Sequence, residues 1–259
     1  MTTVLALAGV VIKELYRRKD FYVLFILTAL LTLMLGSVNF FHDDKIVRYL
    51  KEICLLLIWA SALVIAIGTT ARQIPAEREN RTIFPLLAKP VSRGQVVVGK
   101  FLGCWLACGV GLLVFYAFFG LISGSKESHW PLLQWLQAFW LHWVMLAVVV
   151  ALVLLGSVSF TAPSANGTIC FIVVAGILLL GRHLNQVALR EPQPLGTIVY
   201  ALYFLIPHLE WYDIRDFVIY DHPLMGWGNC ALATLYGAVY AAFLLFCTWI
   251  VFRRKALNL

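Results

Sequence analysis

The sequence predicts an all-α integral membrane protein with six transmembrane helices, an N-terminal interfacial amphipathic helix and both termini in the cytoplasm. Apolar residue types make up 62% of the 259 residues, and the mean hydropathy is +0.87, whereas apolar types make up about 45–50% of a soluble domain. Charged residues account for 13%, about half of the usual share. Apolar runs long enough to cross a bilayer also recur along the chain. These observations exclude soluble, disordered and small disulfide-linked proteins.

A membrane-spanning helix needs about 20 apolar residues. Six runs of this kind occur: Phe21–Phe41, Ile53–Thr70, Phe101–Ser123, Leu136–Phe160, Gly167–Leu184 and Trp227–Phe252. Because no polar stretch between them is long enough to fold separately, residues 1–259 are predicted to form a single transmembrane domain. The segment 185–226 contains the apolar run Leu195–Pro207, which is too short to span. We therefore expect a re-entrant helical segment there, on the extracytoplasmic side.

The distribution of lysine and arginine predicts the orientation. Of the 20 basic residues, 13 fall on the side of the two termini together with four acids, and seven fall on the opposite side with nine acids. The net charges are therefore +9 and −2. This asymmetry places the termini in the cytoplasm and the chain in the cytoplasmic (inner) membrane. The basic surplus is expected to interact with anionic membrane lipid and not with nucleic acid.

The predicted interfacial helix covers residues 1–19. Its apolar residues recur every three to four positions, while its charges lie elsewhere around the helix; the apolar set is Val4, Leu7, Val11 and Leu15. This pattern is typical of a helix that lies on the inner leaflet of a membrane.

The cytoplasmic loop 71–100 combines charges with an apolar face. Pro75 is suited to the first turn of a helix, and the acids Glu77 and Glu79 follow where the helix N-terminus favours negative charge. An apolar set comes next, before Pro90 ends the helix: Ile83, Phe84, Leu86 and Leu87. Such a helix is suited to docking into a groove of another protein. The alternative is a solvated loop that only sets the topology through its charges.

The same loop carries a recognisable pattern. It reads Glu77-Arg-Glu79-Asn-Arg81-Thr82-Ile-Phe84-Pro-Leu-Leu87-Ala-Lys89-Pro90-Val-Ser-Arg93, followed by Gly99-Lys100-Phe-Leu-Gly103. This resembles the acidic-x-acidic-x-x-Thr, Leu-Leu, Lys-Pro-Val-Ser-Arg and Gly-Lys pattern of type-2 ABC exporter permeases. The resemblance is closest to the branch associated with multicopper-enzyme maturation, such as the permease of the nitrous oxide reductase assembly transporter. One departure is Gln73-Ile-Pro-Ala before Glu77, where another charged residue is expected.

The resemblance implies a permease that is not itself an enzyme and binds no cofactor. It would pair with a second copy or a paralogue, and each permease would sit on a cytoplasmic ABC ATPase subunit that holds ATP and Mg²⁺. The resemblance implies that the loop is the coupling helix at this ATPase interface, with the contact residues Glu77, Glu79, Arg81, Thr82, Phe84, Leu87 and Arg93. Gly94 to Lys100 also matches G-x-x-x-x-G-K, but Phe101 follows where a phosphate-binding loop has Ser or Thr, so the match is interpreted as chance.

The extracytoplasmic segment offers a second candidate site, formed by Pro207, His208, Glu210 and Asp213. A proline followed by acids and aromatic residues resembles the external gate region of the same family. These side chains are suited to binding a cation or an extracytoplasmic protein; the alternative is a solvated loop anchored by Trp211 and Tyr212. Since the histidines and cysteines show no ligand spacing, no metal site is predicted.

A second hypothesis belongs to another functional class. The chain would be a non-transporting membrane scaffold or anchor that recruits an extracytoplasmic or cytoplasmic partner, with the extracytoplasmic stretch Arg190–Asp221 as its functional surface. The spans carry no series of acids, which argues against an ion-coupled carrier. The sequence leaves open which substrate is transported and whether the second permease is a copy or a paralogue.

Overall fold

The computed structural model describes residues 2–17, 22, 26, 29, 30, 33, 44–80, 91–127, 130–190 and 192–255. Within these residues the chain is helical and contains no strand. The α-helices are α1 (Thr2–Tyr16), α2 (Asp44–Ala71), α3 (Pro75–Glu79), α4 (Arg93–Glu127), α5 (Leu132–Ser159), α6 (Pro163–Arg190), α7 (Leu195–Leu205), α8 (Arg215–Ile219) and α9 (Trp227–Arg254), and a 3₁₀ helix covers Leu209–Tyr212.

Five of the six predicted spans correspond to helices that are long and apolar enough to cross a membrane, namely α2, α4, α5, α6 and α9. Each has 28 or 35 residues and is therefore about 42 to 52 Å long. The hydrocarbon core of a bilayer is about 30 Å thick, so the helices extend beyond the predicted runs. The remaining predicted span, Phe21–Phe41, lies almost entirely outside the described residues.

The helices define two ends of a bundle. At the end we call the inner end, α2 stops, α3 lies, α4 begins and α9 stops. At the opposite, outer end, α4 stops, α5 begins and the segment between α7 and α9 is found. Helix α5 lies at the centre, because it packs against α2, α4, α6 and α9 and nearly all its residues from Leu141 to Val158 are buried.

The apolar face of α1 packs against α4. Val11 and Leu15, which belong to the predicted apolar stripe, are buried in the core. The contact is close because α4 carries glycines there: a Cβ built on Gly99 would lie 2.8 Å from Leu7 Cβ, and one on Gly103 would lie 2.6 Å from Val11 Cβ. The predicted face therefore contacts protein, since Gly-x-x-x-Gly lets two helices approach closely.

The predicted re-entrant stretch contains a helix, α7, which packs against the longer α6. The chain then turns through the 3₁₀ helix and α8 before α9 begins. The 3₁₀ helix contacts α5 and α6, and α8 contacts α2 and α5. The segment 206–226, which we call the outer segment, therefore covers the outer end of the bundle. The depth of α7 in the membrane stays a prediction.

Candidate functional site

The predicted coupling loop begins with a short helix at the inner end. Helix α3 starts at Pro75, as predicted, but it ends after five residues at Glu79, and Asn80 occupies its C-cap. The helix from Pro75 therefore does not continue unbroken into the apolar set at 83–87, as the sequence prediction assumed. Asn80 favours this stop, because a short polar side chain hydrogen-bonds in turns more readily than within a helix.

A buried lysine on α4 holds α3 in place. Lys100 Nζ donates to Glu77 Oε1 over 2.7 Å, and to both the backbone oxygen and the side-chain Oε1 of Gln73 over 3.3 Å. Only 3% of the Lys100 surface is exposed. An ammonium removed from water requires partners for its charge and its three N–H groups, and Glu77 and Gln73 supply them. The turn before α3, helix α3 and helix α4 are thus joined.

The structure separates the predicted interface residues by their surroundings. Glu77 faces Lys100 and is partly buried, whereas Glu79 and Asn80 are exposed to solvent. The other interface candidates Arg81, Thr82, Phe84 and Leu87 lie outside the described residues.

Arg93 lies at the first turn of α4 and contacts the C-terminal end of α9. Its Nη1 donates to the backbone oxygens of Phe252, Arg253 and Lys255 over 2.6 to 3.3 Å, and its guanidinium carbon lies 5.5 Å from the Phe252 ring centroid. Because the last carbonyls of a helix lack intrahelical partners and carry partial negative charge, Arg93 caps α9. Beyond these bonds it remains partly accessible.

The start of α4 and the end of α5 are fixed by further local contacts. Ser92 and Gln95 form a reciprocal capping box, in which Gln95 N donates to Ser92 Oγ and Ser92 N donates to Gln95 Oε1. Lys255 Nζ donates to the backbone oxygens of Val158 and Ser159, each over 2.9 Å, at the end of α5. Burial and, secondly, the charge of Arg78 lower the pKa of Lys255 below its ordinary value.

At the outer end, the structure brings together two of the predicted gate residues. His208, which follows Pro207, is buried, and its Nδ1 lies 3.4 Å from Glu210 Oε1. Aromatic rings surround His208, with centroid distances of 4.2 Å to Tyr203, 4.9 Å to Trp211 and 6.0 Å to Tyr236. The backbone N–H of His208 also donates to the Tyr236 hydroxyl over 3.1 Å. The pair is therefore packed against α7 and α9 and is not solvated.

Asp213 belongs to a different cluster from His208 and Glu210. It accepts a bidentate pair of hydrogen bonds from Arg215, 2.7 Å from Nε and 2.8 Å from Nη2. Hydrogen bonding to Asp213 raises the pKa of Arg215 above its ordinary value, against the opposing effect of burial. The guanidinium carbon of Arg215 lies 5.0 Å from the Trp59 ring centroid. A cation over an indole face is attracted to it, so this pair attaches the outer segment to α2.

Three further links hold the outer segment to the bundle. Lys51 Nζ lies 3.3 Å from Asp221 Oδ1. Gln134 Nε2 donates to the backbone oxygen of His222 over 2.7 Å. Gln137, one turn later on α5, both donates to and accepts from the backbone of Met225. The outer segment is consequently fastened to α2 and α5 along its length.

Across the described residues, no group of three or more His, Cys, Asp or Glu side chains is arranged to hold a metal ion. His208 and Glu210 are near each other, but Asp213 is engaged with Arg215. The outer site in this conformation is therefore an aromatic and ionic packing cluster.

Comparison with known protein families decides the class. Residues 8–255 match the family described as ABC-2 family transporter protein. The chain belongs to this family. It is a multi-pass membrane permease of the ABC transporter class. A comparison with curated proteins gives no match.

Several residues that organise both ends of this permease were not predicted. Lys100 was named as part of the Gly-Lys pattern and of a chance phosphate-loop match, and Gln73 as a departure from the family pattern. No contact between them was predicted, whereas the two bind each other. Arg215, Gln134 and Gln137 were not singled out. For Lys100 a signal was present, because a lysine one position before a long apolar run needs a partner if it is buried.

Proposed function

We propose that this permease couples ATP hydrolysis by a separate cytoplasmic ATPase subunit to the export of a substrate across the cytoplasmic membrane. The permease would supply no catalytic residue of its own, and ATP and Mg²⁺ would be bound by the ATPase. It would act as a pair, with a second copy or a paralogue, with its N- and C-termini in the cytoplasm. Its contribution to transport would be mechanical.

One observation carries this proposal: a short helix with an exposed end is joined to a membrane span through a partly buried ion pair. Helix α3 presents Glu79 and Asn80 to solvent, while Glu77 is bonded to Lys100 of α4. A partner that binds the exposed end can displace α4 through this connection. The expected contact surface comprises Glu79 and Arg93 together with Arg81, Thr82, Phe84 and Leu87. Glu77, which the resemblance also places there, is engaged with Lys100 and serves the connection to α4.

We also propose that the permease belongs to the branch that matures multicopper enzymes. This narrower assignment is supported by the resemblance of Lys89-Pro90-Val-Ser-Arg93 and of the flanking pattern. The extracytoplasmic partner would then be a protein that contacts the outer segment near Pro207, His208, Glu210 and Asp213.

The first test is purification of the tagged permease from its native membrane in mild detergent, with mass spectrometry of the proteins that accompany it. We expect an ABC ATPase in near-equal amount, and any extracytoplasmic protein that accompanies it identifies a candidate partner. Recovery without an ATPase in several detergents would contradict the coupling proposal. That result would favour the scaffold hypothesis, in which the segment Arg190–Asp221 is the functional surface.

Reversal of one exposed charge tests the interface itself. Glu79→Arg is expected to weaken ATPase binding about tenfold or more, which corresponds to about 1.4 kcal/mol, because it places a like charge in a basic loop. Binding of the purified ATPase to permease in nanodiscs measures this change. Glu52→Arg is the matched control, since Glu52 is an exposed glutamate at the outer end of α2. Equal loss of binding in both variants, or none in either, would refute the assignment of Glu79.

A further inference from the structure

The connection between α3 and α4 depends on a residue that the interface assignment does not include. Lys100 has its ammonium at the inner end of a long apolar helix and is almost completely buried. A lysine in such a place is costly unless it is paired. Its three hydrogen bonds all reach the segment that carries α3. That segment therefore compensates the energetic cost of burying the Lys100 charge.

The geometry of the three bonds makes the connection stiff. One bond fixes the helix itself through Glu77, and two fix the turn before it through the backbone and side chain of Gln73. Gln73 and Ile74 are buried beside them. Because Lys100 bonds two points on either side of Pro75, α3 can neither rotate nor shift without moving α4 or breaking a charge-assisted bond.

Helix α4 is suited to carry such a displacement further. It is continuous from Arg93 to Glu127, about 52 Å from end to end, and it reaches the outer end of the bundle. Its first third also holds α1 through Gly99 and Gly103. Displacement at Lys100 therefore acts on a rigid helix that connects the inner and outer ends.

We propose that Lys100 is a positioning residue that transmits movement of α3 to α4, and so from the ATPase to the outer end of the permease. This inference rests on the proposed function, and it extends that function by assigning the link inside the membrane protein. Glu77 serves the link by neutralising Lys100, while the exposed Glu79 serves the contact with the ATPase.

The test distinguishes a role in transmitting movement to α4 from a role in binding the ATPase. Lys100→Met removes the charge at similar length, and Glu77→Gln removes the partner charge at nearly constant shape. Each is introduced into the full complex with the ATPase, in permease carrying Ser125→Cys at the exposed outer end of α4. The readouts are the amount of co-purified ATPase, its ATP hydrolysis, and the maleimide labelling rate of Cys at position 125 without nucleotide and after vanadate trapping.

We expect both variants to retain the ATPase and its hydrolysis. The difference in labelling rate between the nucleotide-free and the vanadate-trapped complex should be about threefold to thirtyfold smaller than in the unmodified complex. Lys255→Met is the matched control, because Lys255 also bonds backbone oxygens at the inner end, but those of the last residues of α5. Its labelling change should match that of the unmodified complex. If the Lys100→Met variant does not accumulate in the membrane, the nucleotide-dependent labelling change of Glu77→Gln decides the test alone.

A labelling change in Glu77→Gln equal to that of the unmodified complex would overturn the role of Lys100 while leaving the coupling proposal intact. If the unmodified complex contains no ATPase, the proposed function fails, and the link fails with it. A variant that loses ATPase binding together with the labelling change would assign Glu77 to the interface and not to transmission.

Discussion

Asn166 lies where three helices meet near the inner end. Its side chain is fully buried, and Nδ2 donates to Ala71 O at the end of α2 and to Val153 O of α5, each over 3.3 Å. The Cys170 thiol donates in turn to Asn166 Oδ1. Hydrogen bonds between membrane helices contribute about 0.6 kcal/mol each, so the amide stabilises this junction and specifies which carbonyls meet.

Gly156 on α5 provides the space that Asn166 occupies, because a Cβ built there would collide with Asn166 Oδ1 and contact Cys170. Gly156→Ala is therefore expected to lower the free energy of unfolding by about 1–3 kcal/mol, the usual cost of overpacking. Thermal unfolding in detergent measures the change. The control is Gly68→Ala on α2, where no atom lies within 4 Å of the added Cβ, and there the higher helix propensity of alanine should give a neutral or stabilising effect.

Equal destabilisation by the two alanine substitutions would show that backbone effects, and not the contact with Asn166, determine the result. The sequence did not reveal this junction. Asn166 and Ala71 lie 95 residues apart along the chain, and no single-sequence pattern pairs them.

At the scale of elements, the docking of α1 on α4 follows from two small residues spaced one turn apart. The contact buries Val11 and Leu15 while the opposite face of α1 exposes Leu5 and Val10. That division is typical of a helix with protein on one side and lipid on the other. Helix α1 is thus attached to the helix that also holds α3.

Gly103→Leu is expected to displace α1, because the added side chain occupies the position of Val11. A buried reporter, Leu15→Cys, should then react with maleimide about tenfold faster or more, corresponding to a loss of about 1.4 kcal/mol in the docking free energy. Gly9→Leu is the control, since Gly9 has no atom within 4 Å of a built Cβ. An unchanged labelling rate in Gly103→Leu would show that α1 does not depend on this contact.

The sequence predicted the elements better than their connections. Five spans were located because each hydrocarbon crossing requires a long apolar run, a local property. Most of these helices extend past the ends of the predicted runs, since helical hydrogen bonding continues into the polar zone where apolar content no longer reports it. Helix α5 instead ends at Ser159, one residue before the end of its predicted run. The start of α3 at Pro75 was predicted from proline chemistry, whereas its end at Glu79 was not.

The candidate sites, like the helices, were predicted where the signal is local in the sequence and not where distant residues meet. His208 and Glu210, two residues apart in the sequence, also lie together in the structure, whereas Asp213, which was grouped with them, is bonded to Arg215 on its other side. Lys100 and Gln73 are separated by 27 positions along the chain. Such a pairing is determined by how helices pack, and no single-sequence pattern encodes it.

At the scale of the whole molecule, the two ends are fastened differently around α5. The inner end is held by Lys100, Arg93 and Lys255, which connect α3, α4, α5 and α9. The outer end is held by side chains of α2 and α5 that bind the outer segment, including Lys51 and Gln137. Because α4 and α5 are common to both ends, a change at the inner end has a continuous route to the outer segment.

This arrangement also bears on the number of spans. Helix α1 lies beside Gly99 and Gly103 at the inner end, whereas α2 begins at Asp44 at the outer end, since its last residue, Ala71, is at the inner end. The predicted span Phe21–Phe41 lies between these two helices in the sequence. We therefore expect six crossings, with both termini in the cytoplasm.

Cysteine accessibility in whole cells tests this topology. Arg17→Cys and Arg254→Cys, both at exposed positions that the sequence predicts to be cytoplasmic, should react with a membrane-impermeant maleimide only after the cells are opened, while Ser125→Cys at the outer end should react in intact cells. The background is Cys247→Ala, because Cys247 is partly accessible and the other five native cysteines are buried. Labelling of Cys at position 17 in intact cells would leave five crossings and place α1 outside, which would contradict its packing against the same end of α4 that binds α3.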